Sequence, residues 1–176
     1  MEKTKILSLP LSKILFWKVA LFASFVGIAS LAPVFKNQLI TGSIVNATLL
    51  VSLIVLGRNA AFLIAFLPSI ISLSVGFLSL ALAHFLPFII AGNIILVLVF
   101  NLLKRKNYWL AIAGAGFLKF GFLAITSSIA VNLFIRGPVA NQLAFMMSWP
   151  QLITALCGGF LAYLLLKMMN YYEDSK

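Results

Sequence analysis

Long apolar stretches alternate with short polar breaks along the chain, and this pattern predicts six membrane-spanning helices. Each stretch is close to the roughly 20 residues that a helix needs to cross the hydrocarbon core of a bilayer. The block from Ala60 to Leu103 is too long for one helix, so we divide it near His84 and Pro87, because proline suits the first turn of a helix. The predicted spans are 14–33, 40–56, 60–79, 87–103, 108–131 and 145–166.

The composition indicates an integral membrane protein of the all-α class. Hydrophobic residues make up 63% of the chain and charged residues only 9%, whereas a soluble domain has about 25% charged residues. The 176 residues hold a single six-helix membrane domain and leave no room for a soluble catalytic domain. One cysteine and one histidine provide neither a disulfide nor a metal cluster. We therefore expect no enzymatic activity, no cofactor and no metal.

The basic residues indicate how the chain is oriented. The net charge of +10 comes from short clusters between apolar runs, which is typical of topology signals rather than of a surface that binds nucleic acid. With the N-terminus in the cytoplasm, ten lysines and arginines lie on the inner side and two, Lys36 and Arg136, on the outer side. The positive-inside rule therefore predicts that both termini are cytoplasmic.

The predicted span 108–131 carries a lysine, Lys119, near its middle. A lysine at that depth costs roughly 2.5 to 3.5 kcal/mol on insertion scales, so it normally faces a polar interior, a partner or a substrate. The three acidic residues of the chain all lie at its termini, so no carboxylate within the spans is available to pair with it. Lys119 is thus a candidate for binding an anionic or strongly hydrogen-bond-accepting part of a substrate. Alternatively, carbonyls and hydroxyls of a packed bundle hold the lysine, or it reaches the interface from a shorter span.

Further polar side chains share the outer half of the predicted bundle with the lysine. Asn46, Asn93 and Gln151 lie about 8 to 9 Å below the outer ends of their spans, at 1.5 Å per residue, and Thr126 lies at the same level on span five. Trp149 marks the outer rim of span six, as an interface anchor or as a ring that stacks on a ligand. We predict a cavity open to the outside and lined by these groups. The alternative is that they only hydrogen-bond between helices, at about 0.6 kcal/mol each.

The sequence lacks the residues that power transport. A carrier driven by protons or sodium usually places Asp or Glu within the membrane, and the predicted spans contain neither. No G-x-x-x-x-G-K-[ST] phosphate-binding loop occurs that would bind ATP. A chain that binds a substrate without an energy source of its own requires a separate energising partner.

A family resemblance covers nearly the whole chain, and four segments carry it. They are residues 18–30 (KVALFASFVGIAS), 40–60 (ITGSIVNATLLVSLIVLGRNA), 86–100 (LPFIIAGNIILVLVF) and 148–163 (SWPQLITALCGGFLAY). The chain resembles the substrate-binding S components of energy-coupling factor (ECF) transporters, small six-helix prokaryotic proteins that capture vitamins and other micronutrients. The last two segments look like the corresponding segments of S components whose substrate is not assigned.

The resemblance implies a function and its partners. It implies capture of a small water-soluble micronutrient at a prokaryotic cell membrane, in a cavity near the outer face under the loop that joins spans one and two. It also implies that an Ala-x-x-x-Ala surface of the first helix docks on a transmembrane coupling subunit driven by two ATPases. Here the small residues Ala20, Ala23, Ser24 and Gly27 form that surface, with the spacings Ala20-x-x-x-Ser24 and Ala23-x-x-x-Gly27.

Other interpretations of the same residues stay open. The second hypothesis is a structural or assembly membrane protein without a small-molecule ligand, whose polar residues only join helices; a membrane enzyme is the third. The small residues of the first helix would equally suit packing against another helix of the same chain, because such spacings are common within bundles. No motif identifies the substrate.

Overall fold

The computed structural model describes residues 11–78, 80–134 and 144–171, and the regular structure of these residues is entirely helical. Six longer α-helices lie within these residues: α1 (Leu11–Leu31), α2 (Gln38–Val55), α3 (Arg58–Ser74), α4 (Leu86–Leu103), α5 (Tyr108–Phe134) and α6 (Trp149–Met168). Two short 3-10 helices, Ala32–Phe35 and Leu80–Phe85, follow α1 and precede α4. The fold therefore follows the order of the apolar stretches in the sequence.

The described residues contain five segments that are long and apolar enough to cross a membrane, and these contain α1, α2, α4, α5 and α6. The remaining helix, α3, is apolar but has only 17 residues. The all-helical, multi-pass class is confirmed, with five to six helices apolar enough to span a bilayer. The predicted third span, 60–79, corresponds to α3, which ends at Ser74. Residue 79, Arg136 and the acidic residues near the termini lie outside the described residues.

Polar and proline residues at the breaks determine where several helices begin. The Oδ1 atom of Asn37 accepts two backbone N–H groups in the first turn of α2, at 2.9 and 3.2 Å. Asn107 does the same for α5, at 2.8 and 3.0 Å. These side chains satisfy N–H groups that have no partner within their own helix. Pro87 and Pro150 lie in the first turns of α4 and α6, where a missing N–H costs nothing.

Small residues bring α2 and α6 into close contact. A Cβ atom added to Gly158 would lie 2.6 Å from the Cβ of Asn46 and 2.8 Å from the carbonyl oxygen of Ser43. One added to Gly42 would lie 2.7 Å from Cγ2 of Thr154. Contacts of this kind depend on tight packing, because lipid supplies no hydrophobic drive between helices. The two helices run in the same direction, since the residue numbers of both increase along the contact.

The bundle has an apolar half and a polar half. Large buried side chains fill the half nearest the α2–α3 and α4–α5 connections, including Leu50, Val97, Phe100 and Leu166. The opposite half, nearest the α1–α2 connection, contains most of the buried polar side chains among the described residues. Under the predicted orientation, the polar half faces the outside of the cell.

Candidate functional site

A cavity of about 90 Å³ lies in the polar half of the bundle, and all six α-helices contribute to its lining. This volume exceeds the about 10–15 Å³ that a single water molecule requires. It is smaller than the roughly 300–1,000 Å³ of sites for drug-sized ligands. The lining residues with a polar side chain are Gln38, Thr41, Asn46, Ser69, Ser72, Asn93, Lys119 and Gln151. The site therefore suits a small ligand with a polar part.

Lys119 is the cation of this cavity. Its side chain is only 3% exposed, and its ammonium nitrogen donates hydrogen bonds to Oδ1 of Asn46 at 2.6 Å and to Oδ1 of Asn93 at 2.8 Å. Both acceptors are neutral amides, and the part of the chain that the structure describes contains no Asp or Glu. Burying an ion is expensive unless it is paired. Lys119 is thus solvated by α2 and α4 but not neutralised by a protein carboxylate.

Hydrogen bonds connect the lysine to the start of α6. Nδ2 of Asn46 donates to Oγ1 of Thr154 at 3.3 Å, and that hydroxyl donates to the backbone carbonyl of Gln151 at 3.0 Å. The side-chain Nε2 of Gln151 donates to the carbonyl of Met146 at 3.0 Å. This network joins side chains of α2, α4, α5 and α6. Through its bond to Thr154, it fixes the orientation of the Asn46 amide whose oxygen faces the ammonium group.

Two hydrogen-bond donors at the cavity are not used within the described residues. An ammonium group has three N–H bonds, and Lys119 has two acceptors. Asn93 accepts through Oδ1, and its Nδ2 group has no acceptor among the described residues. Both groups belong to side chains that line the cavity. The end of the cavity at Lys119 and Asn93, here called its deep end, therefore leaves two donors for a ligand.

The structure brings four of the six predicted binding residues together. Asn46, Asn93, Lys119 and Gln151 all line the cavity, although they come from four different helices. Thr126 does not line it, and its hydroxyl donates to the carbonyl of Phe122 at 2.7 Å within α5.

Trp149 also lies away from the cavity. Its side chain is 49% exposed, and its ring makes an edge-to-face contact with Phe145 at 5.5 Å between centroids. Trp149 and Gln151 are two positions apart, which is about 200° around a helix of 3.6 residues per turn. Because Gln151 faces the cavity, Trp149 faces outward.

Several lining residues were missed by the sequence analysis. Gln38, Thr41 and Val45 line the cavity from α2, and their i, i+3, i+7 spacing places them on one helix face. Ser69 and Ser72 do the same from α3, beside Pro68. Helical spacing is the signal that could have found them. They form much of the wall above the lysine.

The predicted docking residues lie on the outside of the bundle. Ala23 and Ser24 are exposed, and Ala20 and Gly27 are partly exposed. A Cβ atom added to Gly27 would meet no heavy atom within 4 Å, and the Ser24 hydroxyl bonds back to the carbonyl of Ala20 at 2.9 Å. In the described residues, this face of α1 is therefore not packed against another helix. That placement disagrees with the alternative in which the small residues serve internal packing.

Comparisons with known proteins return no relative. No family model, no curated protein and no solved structure matches the chain. Among the described residues there is also no group of three His, Cys, Asp or Glu side chains that could hold a metal ion.

Proposed function

We propose that this chain is a membrane-embedded substrate-capture subunit, working as the S component of an ECF-type uptake transporter for a small water-soluble micronutrient. The observation that carries the proposal is the buried ammonium group of Lys119, which lines a cavity and, among the described residues, donates only to neutral amides. Charged groups within a membrane are rare and usually mark a substrate or ion site. A ligand that accepts hydrogen bonds from this lysine completes its coordination.

The shape of the bundle supports capture rather than conduction. The cavity occupies one half of the bundle, and buried apolar side chains such as Leu50, Val97 and Phe100 fill the other half. A pore needs a polar or hydrated path through both halves. Transport by this chain therefore requires a partner that changes its position or conformation.

The exposed face of α1 supports the second half of the proposal. Small residues at four-residue spacing let a partner helix approach closely, and Ala23, Ser24 and Gly27 leave that approach open. The partner we propose is a transmembrane coupling subunit energised by two ATPases, in a prokaryotic cell membrane. This arrangement supplies the energy source that the chain itself lacks.

One observation favours a structural or assembly role instead. Asn46 hydrogen-bonds both Lys119 and Thr154, so the central polar groups already join three helices without a ligand. In that hypothesis the lysine only specifies how the helices pack. Such a protein retains no small molecule and recruits no ATPase.

Affinity purification of the full-length chain from its own host membranes, in a mild detergent, tests the proposal. We expect two ATPase subunits and one transmembrane coupling protein to co-purify, and the complex to take up substrate in an ATP-dependent manner. Two results together would favour the structural hypothesis over the transporter. The folded chain would purify without any ATPase, and host cells that lack this chain would show normal uptake of all micronutrients.

A further inference from the structure

The chemistry of the cavity restricts its ligand further than the proposed function does. The cavity-lining residues of the described chain include no aromatic and no acidic side chain. Flat aromatic ligands are usually held by aromatic rings, and cationic ligands by carboxylates or by aromatic faces. Neither means of recognition is present in the described lining. Aromatic and cationic micronutrients therefore do not match this site.

The deep end of the cavity matches a single negative charge. The free N–H of Lys119 and the Nδ2 group of Asn93 are both donors, and a carboxylate is a pure acceptor with two oxygen atoms. The two donors belong to residues joined by a 2.8 Å hydrogen bond, so they are close enough to serve both oxygens of one carboxylate. One lysine balances one charge, whereas a phosphate carries close to two at neutral pH.

The walls match a short aliphatic body. Val45, Ile64, Leu82, Ile89 and Met147 line the cavity with branched or flexible apolar groups. Its volume of about 90 Å³ leaves room for only a small molecule.

We infer that the cavity binds a small aliphatic monocarboxylate, with its carboxylate between the Lys119 ammonium and the Asn93 amide and its apolar body against α2, α3 and α4. This inference rests on the proposed capture function and names the substrate class of the same site. The hydroxyls of Thr41 and Ser72 already donate to the carbonyls of Ala32 and Ser30, so they can accept from a hydroxyl group on such a ligand.

Matched small probes test the inference on the full-length protein in lipid nanodiscs. Thermal-shift titrations, with empty nanodiscs as background, give an apparent Kd for butanoate, butanamide, 1-aminobutane, benzoate and inorganic phosphate. We expect butanoate to bind at least tenfold more tightly than butanamide, which has the same size without the charge. The other three probes bind no better than butanamide. Dodecanoate, which partitions into the bilayer, distinguishes a lipid-derived carboxylate and should bind more weakly than butanoate.

Three variants test whether the preference for butanoate arises in this cavity. Lys119→Met should abolish the preference of butanoate over butanamide, whereas Lys167→Met, the same change at an exposed position on α6, should keep it. Ser69 lines the cavity from α3 and takes no part in the hydrogen bonds of Lys119, so Ser69→Phe should fill the cavity and weaken butanoate binding at least tenfold in a protein that is folded normally. Ser69→Phe keeps the test decisive even if Lys119→Met fails to fold.

Several results would overturn the inference. Butanoate and butanamide could bind with equal affinity, or benzoate, phosphate, 1-aminobutane or dodecanoate could bind most tightly of the probes. The affinity for butanoate could be unchanged in Ser69→Phe, or no probe could bind at all. The proposed function fails separately. An aromatic or cationic molecule found in a complex with the ATPases refutes the monocarboxylate and leaves the capture function intact, whereas a chain with no ligand and no ATPase refutes both.

Discussion

The ammonium nitrogen of Lys119 lies 2.6 Å from Oδ1 of Asn46, and this contact links the middle of α5 to the middle of α2 within the membrane. Asn46 is completely buried and also donates to Thr154 on α6. The same asparagine thus orients the lysine and joins two helices. Substitutions of Lys119 and of the residues around it should therefore show which side chains contribute to ligand affinity and which contribute to the stability of the bundle.

Replacing Lys119 by methionine should weaken ligand binding at least tenfold. The change keeps the length of the side chain and removes a charge-assisted hydrogen bond, which contributes roughly 1.5 to 3 kcal/mol, and 1.4 kcal/mol corresponds to a factor of ten. Equilibrium binding of the co-purified substrate measures the effect, with Lys167→Met as control. Affinity within about twofold of wild type in a folded Lys119→Met protein would show that the lysine does not contact the ligand.

Leucine at both Asn93 and Gln151 should also reduce affinity tenfold or more. Both side chains line the cavity, and the double change removes their amides while keeping a similar volume. Calorimetric binding together with thermal unfolding distinguishes the two roles of these residues. A double variant that binds normally but unfolds at a lower temperature would assign both amides to interhelical hydrogen bonding.

The close contact of α2 and α6 predicts a cost for the smallest possible change. Gly158→Ala places a methyl group 2.6 Å from the Cβ of Asn46, and overpacking of this kind costs about 1–3 kcal/mol. Gly27→Ala is the matched control, because its methyl group meets no heavy atom within 4 Å. Denaturant unfolding in mixed micelles should show a loss of stability for Gly158→Ala alone. Equal stabilities of the two variants would mean that the helices are not in this contact.

A large side chain on the outer face of α1 should prevent docking without affecting the fold. Ala23→Trp adds bulk at an exposed position, so ligand binding and thermal stability should stay as in wild type while co-purification with the coupling subunit is lost. Ile125→Trp, at an exposed position on α5, is the control that should keep the complex. The docking assignment fails if Ala23→Trp still assembles with the ATPases, or if it misfolds.

Hydropathy predicted the all-helical, multi-pass class, because apolar length and polar breaks are properties of short segments. The same counting, at a fixed rise per residue, places Asn46, Asn93 and Lys119 inside the predicted spans, and their depths in the bilayer stay a prediction. What counting along the chain could not predict is that both asparagine oxygens point at one ammonium group. That orientation depends on how α2, α4 and α5 are rotated against each other.

The two site residues that lie elsewhere show the same limit. Thr126 shares a helix face with Lys119, but Lys119 is the only described residue of α5 that lines the cavity, and the Thr126 hydroxyl bonds within the helix. Depth alone predicts Trp149 as a site residue, whereas its spacing of two residues from Gln151 places it on the opposite side of α6. Depth and helix face therefore have to be considered together.

Native mass spectrometry of the wild-type protein and Lys119→Met, gently purified side by side, tests the central claim most directly. The account predicts one bound small molecule per wild-type chain, its loss in Lys119→Met and its retention in Lys167→Met. A folded wild-type protein that never carries a small molecule, or a Lys119→Met protein that carries it at the same occupancy, would contradict the account.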